Sequence, residues 1–269
     1  MTFLSKYYKS FLLSVESSME YRTNFFMNIF SSIFMMVAQG FLWTAIFNNT
    51  TQKIIYGYTY TQMMTYTIMA GIISKLVSAS FGRQIASDIK SGGLNKFLVQ
   101  PIDYMNYNMS VFLGKKVSES GFILIFSLII IFLCNSFWNF NISLINFLCA
   151  IVPILLAIII NFFIFYCLSS LAFLMTEVSV LFLGLDVITS ILSGAYFPID
   201  IFGEKVLYII NLLPFQYTLY FPLNVMNGRI SGQGLLLGVA VQIAWIMILY
   251  LLARLLWRIG IKKYIAIGG

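Results

Sequence analysis

The sequence predicts an all-α polytopic membrane protein, and three observations carry that prediction. Of the 269 residues 60% are hydrophobic and only 9% charged, with a mean hydropathy of +0.92, whereas a soluble domain carries about a quarter of charged residues on its surface. Several apolar runs exceed the roughly 18–20 residues that a helix needs to cross the hydrocarbon layer. Those runs are also continuous, where the strands of a transmembrane β-barrel would alternate apolar and polar residues over about ten positions.

The first element is residues 1–22, "MTFLSKYYKSFLLSVESSMEYR". Phe3, Tyr7, Phe11, Val15 and Met19 recur every four positions with Leu4, Tyr8 and Leu12 beside them, while Lys6, Lys9, Ser10, Ser17 and Glu20 fall opposite. That pattern predicts an amphipathic interface helix lying in the headgroup plane. An ordinary helix packed on protein is the alternative. The stretch lacks the uninterrupted apolar centre and small-residue cleavage site of a secretory signal.

Six transmembrane helices follow, at roughly 24–47, 60–80, 112–134, 145–175, 178–196 and 233–257. Pro153 lies near one end of the fourth. The 16 Lys and Arg orient them: 13 fall in loops on one side and 3 (Lys53, Lys205, Arg229) on the other. The rich side is expected to be cytoplasmic, with both termini there. The net charge of +7 is thus explained by topology, and no nucleic-acid partner is expected.

The sequence holds little catalytic chemistry. It has no histidine, which removes the usual general base near neutral pH. It has no GxxxxGK[ST] phosphate loop: Gly114-Lys115-Lys116 lacks the upstream glycine and the hydroxyl residue. No nucleophile elbow, zinc helix or paired-carboxylate site is present, so neither a bound metal nor a cofactor is expected. Cys134, Cys149 and Cys167 read as packing residues, with a Cys134–Cys149 disulfide as the alternative. Asp186, midway along the fifth span, is the one clear intramembrane charge. It is read as hydrogen-bonded within the bundle, or as a polar site for a substrate or coupling ion.

Two connections carry more information. Residues 81–105 mix the apolar Ile85, Ile89, Leu94, Phe97 and Leu98 with charges, broken at Gly92-Gly93 and stopped at Pro101. This predicts one or two short helices at the cytoplasmic surface whose apolar stripe fits a partner's groove, with a simple solvated connector as the alternative. Residues 193–229 are apolar yet contain Pro198, Pro214, Pro222 and the charges Asp200, Glu204 and Lys205. Residues 206–213 give only about 12 Å of helix, too short to cross. Because lipid-exposed broken backbone is costly, the segment is predicted to be an outer re-entrant helical hairpin between spans five and six, with a plain amphipathic surface loop as the alternative. Gly194 and Pro198 would end the fifth span, and Leu213, Pro214 and Phe215 would form the turn.

The stretch Ile89-Lys90-Ser91-Gly92-Gly93-Leu94-Asn95-Lys96-Phe97-Leu98-Val99-Gln100-Pro101-Ile102 resembles the loop between spans two and three of ABC-2-type export permeases. Ser193-Gly194 through Pro198-Ile199, Leu213-Pro214-Phe215 and Tyr220-Phe221-Pro222 are similar to the same family's outer segment, and Lys262-Lys263-Tyr264 to Gly268-Gly269 to the tail of one bacterial subgroup.

The resemblance implies a single transmembrane domain, residues 1–269, that is a non-catalytic permease subunit in the bacterial cell membrane. It would pair with a second permease subunit, identical or related, and with two ATPase subunits that hold the ATP and Mg. Ile89, Lys90, Gly92, Leu94, Phe97, Leu98 and Pro101 would then form the ATPase-coupling loop. The pathway would extrude a drug, peptide or lipid. The alternatives are an ATP-independent channel or secondary carrier, disfavoured by the scarcity of midplane charge, and a lipid-acting membrane enzyme, disfavoured by the lack of histidine.

Overall fold

The computed structural model describes residues 3–20, 22–138, 143–175 and 177–264. The Gly268-Gly269 end of the tail and the side chain of Cys134 lie outside the described residues.

The described chain is almost entirely helical. An N-terminal helix α1 (Phe3–Glu20) leads into α2 (Arg22–Asn48), a short antiparallel hairpin of β1 (Ile54–Ile55) and β2 (Tyr58–Thr59), and α3 (Tyr60–Val77). Two short helices, α4 (Gly82–Lys90) and α5 (Asn95–Leu98), precede the long α6 (Tyr104–Trp138), α7 (Leu144–Ser170) and α8 (Ser179–Leu192). Then come α9 (Glu204–Asn211), α10 (Tyr220–Met226) and α11 (Gln233–Ile261). Thr59 begins α3 with a capping box: its hydroxyl accepts from the Gln62 N–H, and the Gln62 side chain accepts from the Thr59 N–H.

Among the described residues, four stretches are long and apolar enough to cross a membrane: Phe30–Asn48, Tyr60–Lys90, Leu144–Phe173 and Gly232–Ile261. The predicted third span starts earlier than expected, since α6 begins at Tyr104. The predicted fifth span is shorter than expected. Its 14 residues give about 21 Å of helix, less than the roughly 30 Å hydrocarbon layer. Gly194 stops it there, at φ +84°, with the Ala195 N–H bonded to Ser190 O and the Gly194 N–H to Ile191 O. That is the paired bonding of a Schellman cap, whose C′ position favours glycine.

Helix α7 is the shared wall of two cores. Its N-terminal half supplies Ala150 and Ala157 to a cluster with Trp43, Met63, Tyr66, Phe221 and Leu223. Its other half supplies Ile160, Phe162 and Tyr166 to a cluster with Ile85, Leu94, Tyr104, Phe182 and Leu249. Lipid is as apolar as these side chains, so packing and interhelical hydrogen bonds hold such helices together. Gln242 of α11, fully buried, donates through Nε2 to Pro153 O at 3.0 Å and to Tyr217 O at 2.9 Å, tying α11 and α7 to the segment before α10. Large apolar side chains remain uncovered along α2, the N-terminal half of α7 and α11, among them Phe34, Phe41, Leu148, Leu155, Met247 and Leu251. A bilayer or a second subunit would cover them.

Helix α1 combines the two readings of its sequence. Tyr7, Phe11 and Ser14 face α6: Ser14 Oγ donates to Val111 O at 2.7 Å, and the Asp103 N–H donates to the Tyr7 hydroxyl at 3.0 Å. A Cβ at Gly114 would collide with Phe11 O, so the glycine permits this close approach. On the flank beside that contact, Tyr8, Leu12 and Met19 are exposed.

Candidate coupling and transport site

Helix α4 and the turn after it bury the apolar stripe that the sequence offered to a partner. Ile85, Ile89 and Leu94 are 0%, 4% and 0% exposed, packed against α7 and its neighbours in the same chain. The expectation that this stripe is free to enter a partner's groove is therefore corrected. An amphipathic period shows that one face is covered, and here α7 covers it. Phe97 packs against the rings of Tyr104 and Tyr107, both at centroid distances of 4.9 Å. Lys90 is half-buried. Gly92 sits at φ +80° and lets the Leu94 N–H turn back to Asp88 O. What remains outward is the tip: Leu98 (49% exposed), Val99 (84%), Gln100 and Pro101.

This loop is tied to three other elements. Tyr104 donates to Asp88 Oδ2 at 2.9 Å and stacks on Trp257 of α11 at 5.1 Å. Just beyond the loop, Arg254 of α11 forms an ion pair with Asp103, whose N–H reaches Tyr7 of α1. Tyr264, in the Lys262-Lys263-Tyr264 tail, donates to Asn95 Oδ1 at 2.9 Å. Short polar contacts thus join this loop to α1, α6 and α11.

Asp186 is paired. Arg83 at the start of α4 donates through Nη2 to Asp186 Oδ2 at 2.8 Å, with the two side chains 58% and 45% exposed. Its position, about 10 Å along α8 from Ser179 at 1.5 Å per residue, lies within reach of the basic loop. A guanidinium 103 positions earlier in sequence is invisible to local pattern. Beside the pair lies a cavity of about 230 Å³ between the end of α3, α7, α8 and the turn at Thr218. Sequence reading missed Asn161 and Thr189, polar residues in its wall, because lone Asn and Thr in apolar runs carry no spacing signal.

At the other end the outer segment is anchored by a carboxylate. Asp200 accepts from the hydroxyls of Tyr58 and Tyr220, both at 2.7 Å. Burial first, then the bond to Asp200, pushes the Tyr58 hydroxyl above the ordinary tyrosine range. Arg229 stacks 3.7 Å over the Tyr58 ring and donates to Gly57 O at 2.9 Å. Tyr66 donates to Gly194 O at 2.7 Å, and a Cβ on Gly194 would lie 2.6 Å from the Tyr66 hydroxyl oxygen.

The segment's path departs in detail from the sequence reading. Helix α9 starts at Glu204, Pro198 is buried before a 3₁₀ turn at Ile199–Phe202, and half-buried Leu213 precedes buried Pro214. A 3₁₀ turn from Phe215 to Thr218 and a break at Leu219 (φ −144°, ψ −56°) separate Pro214 from α10. Pro222 falls in the first turn of α10, where its missing N–H costs little. Helix α10 is buried from Phe221 to Met226, whereas α9 leaves Tyr208 and Ile209 exposed, as is Leu212 just after it.

Cys149 and Cys167 are free thiols. Among the described residues no three His, Cys, Asp or Glu side chains gather as a metal site requires. Neither the curated proteins nor the solved structures compared with the chain give a match. A family model described as ABC-2 family transporter protein matches residues 33–268, which takes in the tied loop, the capped α8 and the outer segment. The chain belongs to the ABC-2 family of transporter proteins.

Proposed function

We propose that this chain is the permease subunit of an ABC exporter, spanning the cell membrane six times with both termini cytoplasmic. Helices α2, α3, α6, α7, α8 and α11 are the spans, and α8 crosses with help from the capped segment that follows it. The chain pairs with a second permease, identical or related, and with two ATPase subunits that bind ATP and Mg. Its cargo is an amphiphile such as a drug, peptide or lipid. Membership of the ABC-2 family supports this reading, because such permeases work with separate ATPases.

The observation that carries the mechanism is the exposed tip Leu98–Pro101 on a loop whose apolar stripe is buried and which is hydrogen-bonded into its own chain. Burying a valine or leucine side chain releases about 1.5–3 kcal/mol, so Leu98 and Val99 are the natural anchors for an ATPase groove. The buried stripe behind them transmits force and does not bind the partner. ATP-driven closure of the ATPase dimer moves the tip, the tip moves α1, α6 and α11 as one body, and Arg83 carries the movement to α8. The outer segment, with α10 buried and α9 at its surface, forms a re-entrant hairpin that caps the outer half of the pathway. Reconstitution with the ATPase tests this reading: transport that proceeds with no ATPase present contradicts it.

A further inference from the structure

The cavity beside Asp186 has an unusual balance of hydrogen-bonding groups. Asn161 is 6% exposed; its Nδ2 donates to Val77 O at 3.0 Å, while its Oδ1 has no partner. That oxygen can only accept. Ser190 directs its hydroxyl to Asp186 O, and Thr218 directs its own to Phe215 O, so both offer the cavity lone pairs only. Asp186 pairs with Arg83 through Oδ2. Thr189 Oγ1 is buried and without a partner, and Ser74 and Ser193 also line the cavity; hydroxyls of this kind can donate or accept. Two wall groups, Asn161 Oδ1 and the Asp186 carboxylate, can only accept, and a guest that satisfies both must bring donors.

Size and charge narrow the guest further. About 230 Å³ falls below the roughly 300–1,000 Å³ typical of pockets that enclose a drug-sized molecule, so the cavity holds a head group. Helix α8 also exposes Leu183 and Val187 beside Asp186, which offers a tail an apolar path along the helix. An ammonium has three donors and no acceptor, and it competes with Arg83 for the carboxylate.

We infer that this cavity is a binding site for the primary ammonium head of an amphiphile, and that the ammonium takes the place of Arg83 on Asp186. Occupancy thereby loosens α4 from α8, so the coupling loop registers whether cargo is bound. The inference rests on the permease reading only for the word cargo; the binding site stands by itself.

The test is equilibrium binding of radiolabelled dodecylamine to the purified chain in phosphatidylcholine nanodiscs, with protein-free discs subtracted and no ATPase or ATP present. Saturable binding of the amine, with dodecanol and dodecanoate failing to compete, is expected. Thr189→Val, which removes little beyond the hydroxyl, should weaken binding by about tenfold, the scale of one hydrogen bond to a charged group. Asp186→Asn should weaken it at least as much. Arg83→Gln should strengthen it, an effect that general damage to the fold would not produce. Adding phosphatidylethanolamine distinguishes the source of the head group: competition makes it a membrane lipid, and its absence a diffusible amine. The site is overturned if dodecylamine shows no saturable component, if dodecanol competes equally, or if all three variants bind like the parent. None of those results bears on ATPase-driven transport, which the reconstitution above tests separately.

Discussion

Tyr264 donates a hydrogen bond to Asn95 Oδ1 across 2.9 Å, joining the tail to a loop 169 positions earlier. Its ring also meets Phe173 edge-on at 5.9 Å. The tyrosine in this tail is therefore a strut that holds α5 in place. Tyr264→Phe keeps the ring and loses the bond, at a cost of about 0.5–1.5 kcal/mol. Faster amide hydrogen exchange across residues 91–98 is expected. Unchanged protection there would show that the bond does not hold the loop.

Leu94 and Val99 lie five positions apart and should behave in opposite ways. Leu94 is fully buried, so Leu94→Asp places a carboxylate among Ile85, Tyr104 and Phe112 and should abolish folded protein, since an unpaired buried charge costs several kcal/mol. Val99→Asp alters a side chain 84% exposed and should leave thermal stability within about 0.5 kcal/mol. Yield and melting temperature in detergent check both. Equal stability of the two variants would contradict the burial of the stripe.

At the outer end, Asp200→Ala leaves the hydroxyls of Tyr58 and Tyr220 without their acceptor. Each buried donor so orphaned costs about 1–3 kcal/mol. Gly194→Ala should be comparably damaging, because it forces φ +84° on an L-residue and crowds the Tyr66 hydroxyl. Both should lower the melting temperature more than Lys205→Ala, whose side chain is exposed. A melting temperature for Asp200→Ala equal to the parent's would remove the carboxylate from its anchoring role.

Much of this architecture is legible in the sequence, for reasons specific to the bilayer. Lipid demands long apolar runs, so the helices around Phe34, Ile164 and Leu249 declare themselves by composition. Gly194 and Pro214 are readable because a left-handed cap needs glycine and proline cannot continue a helix. The stripe Ile85–Ile89–Leu94 was legible as a stripe, but periodicity does not say whether a partner or α7 covers it. Arg83 with Asp186, and Gln242 with Pro153, meet only through folding, and a single buried amide among apolar residues leaves no local pattern. The hairpin at Ile54–Thr59 is too short to show alternation.

The two proposed faces of the membrane domain should also be separable by access. In a background with its cysteines replaced, Glu204→Cys is expected to react quickly with a membrane-impermeant thiol reagent added to intact cells. Leu213→Cys should react slowly, and Val99→Cys only after the cells are opened. Fast reaction at all three positions would contradict the assigned topology and the hairpin together.

In the proposed mechanism the tip Leu98–Pro101 receives the ATPase. The complex is purified through this chain from membranes that contain its ATPase subunit, and its Mg-ATP hydrolysis is compared between the parent and Val99→Asp. The account predicts hydrolysis by the parent complex and a loss of at least about tenfold in the variant, equivalent to one anchoring side chain at 1.4 kcal/mol or more, with the chain still inserted and stable. Equal hydrolysis and equal ATPase content in the two preparations would contradict it.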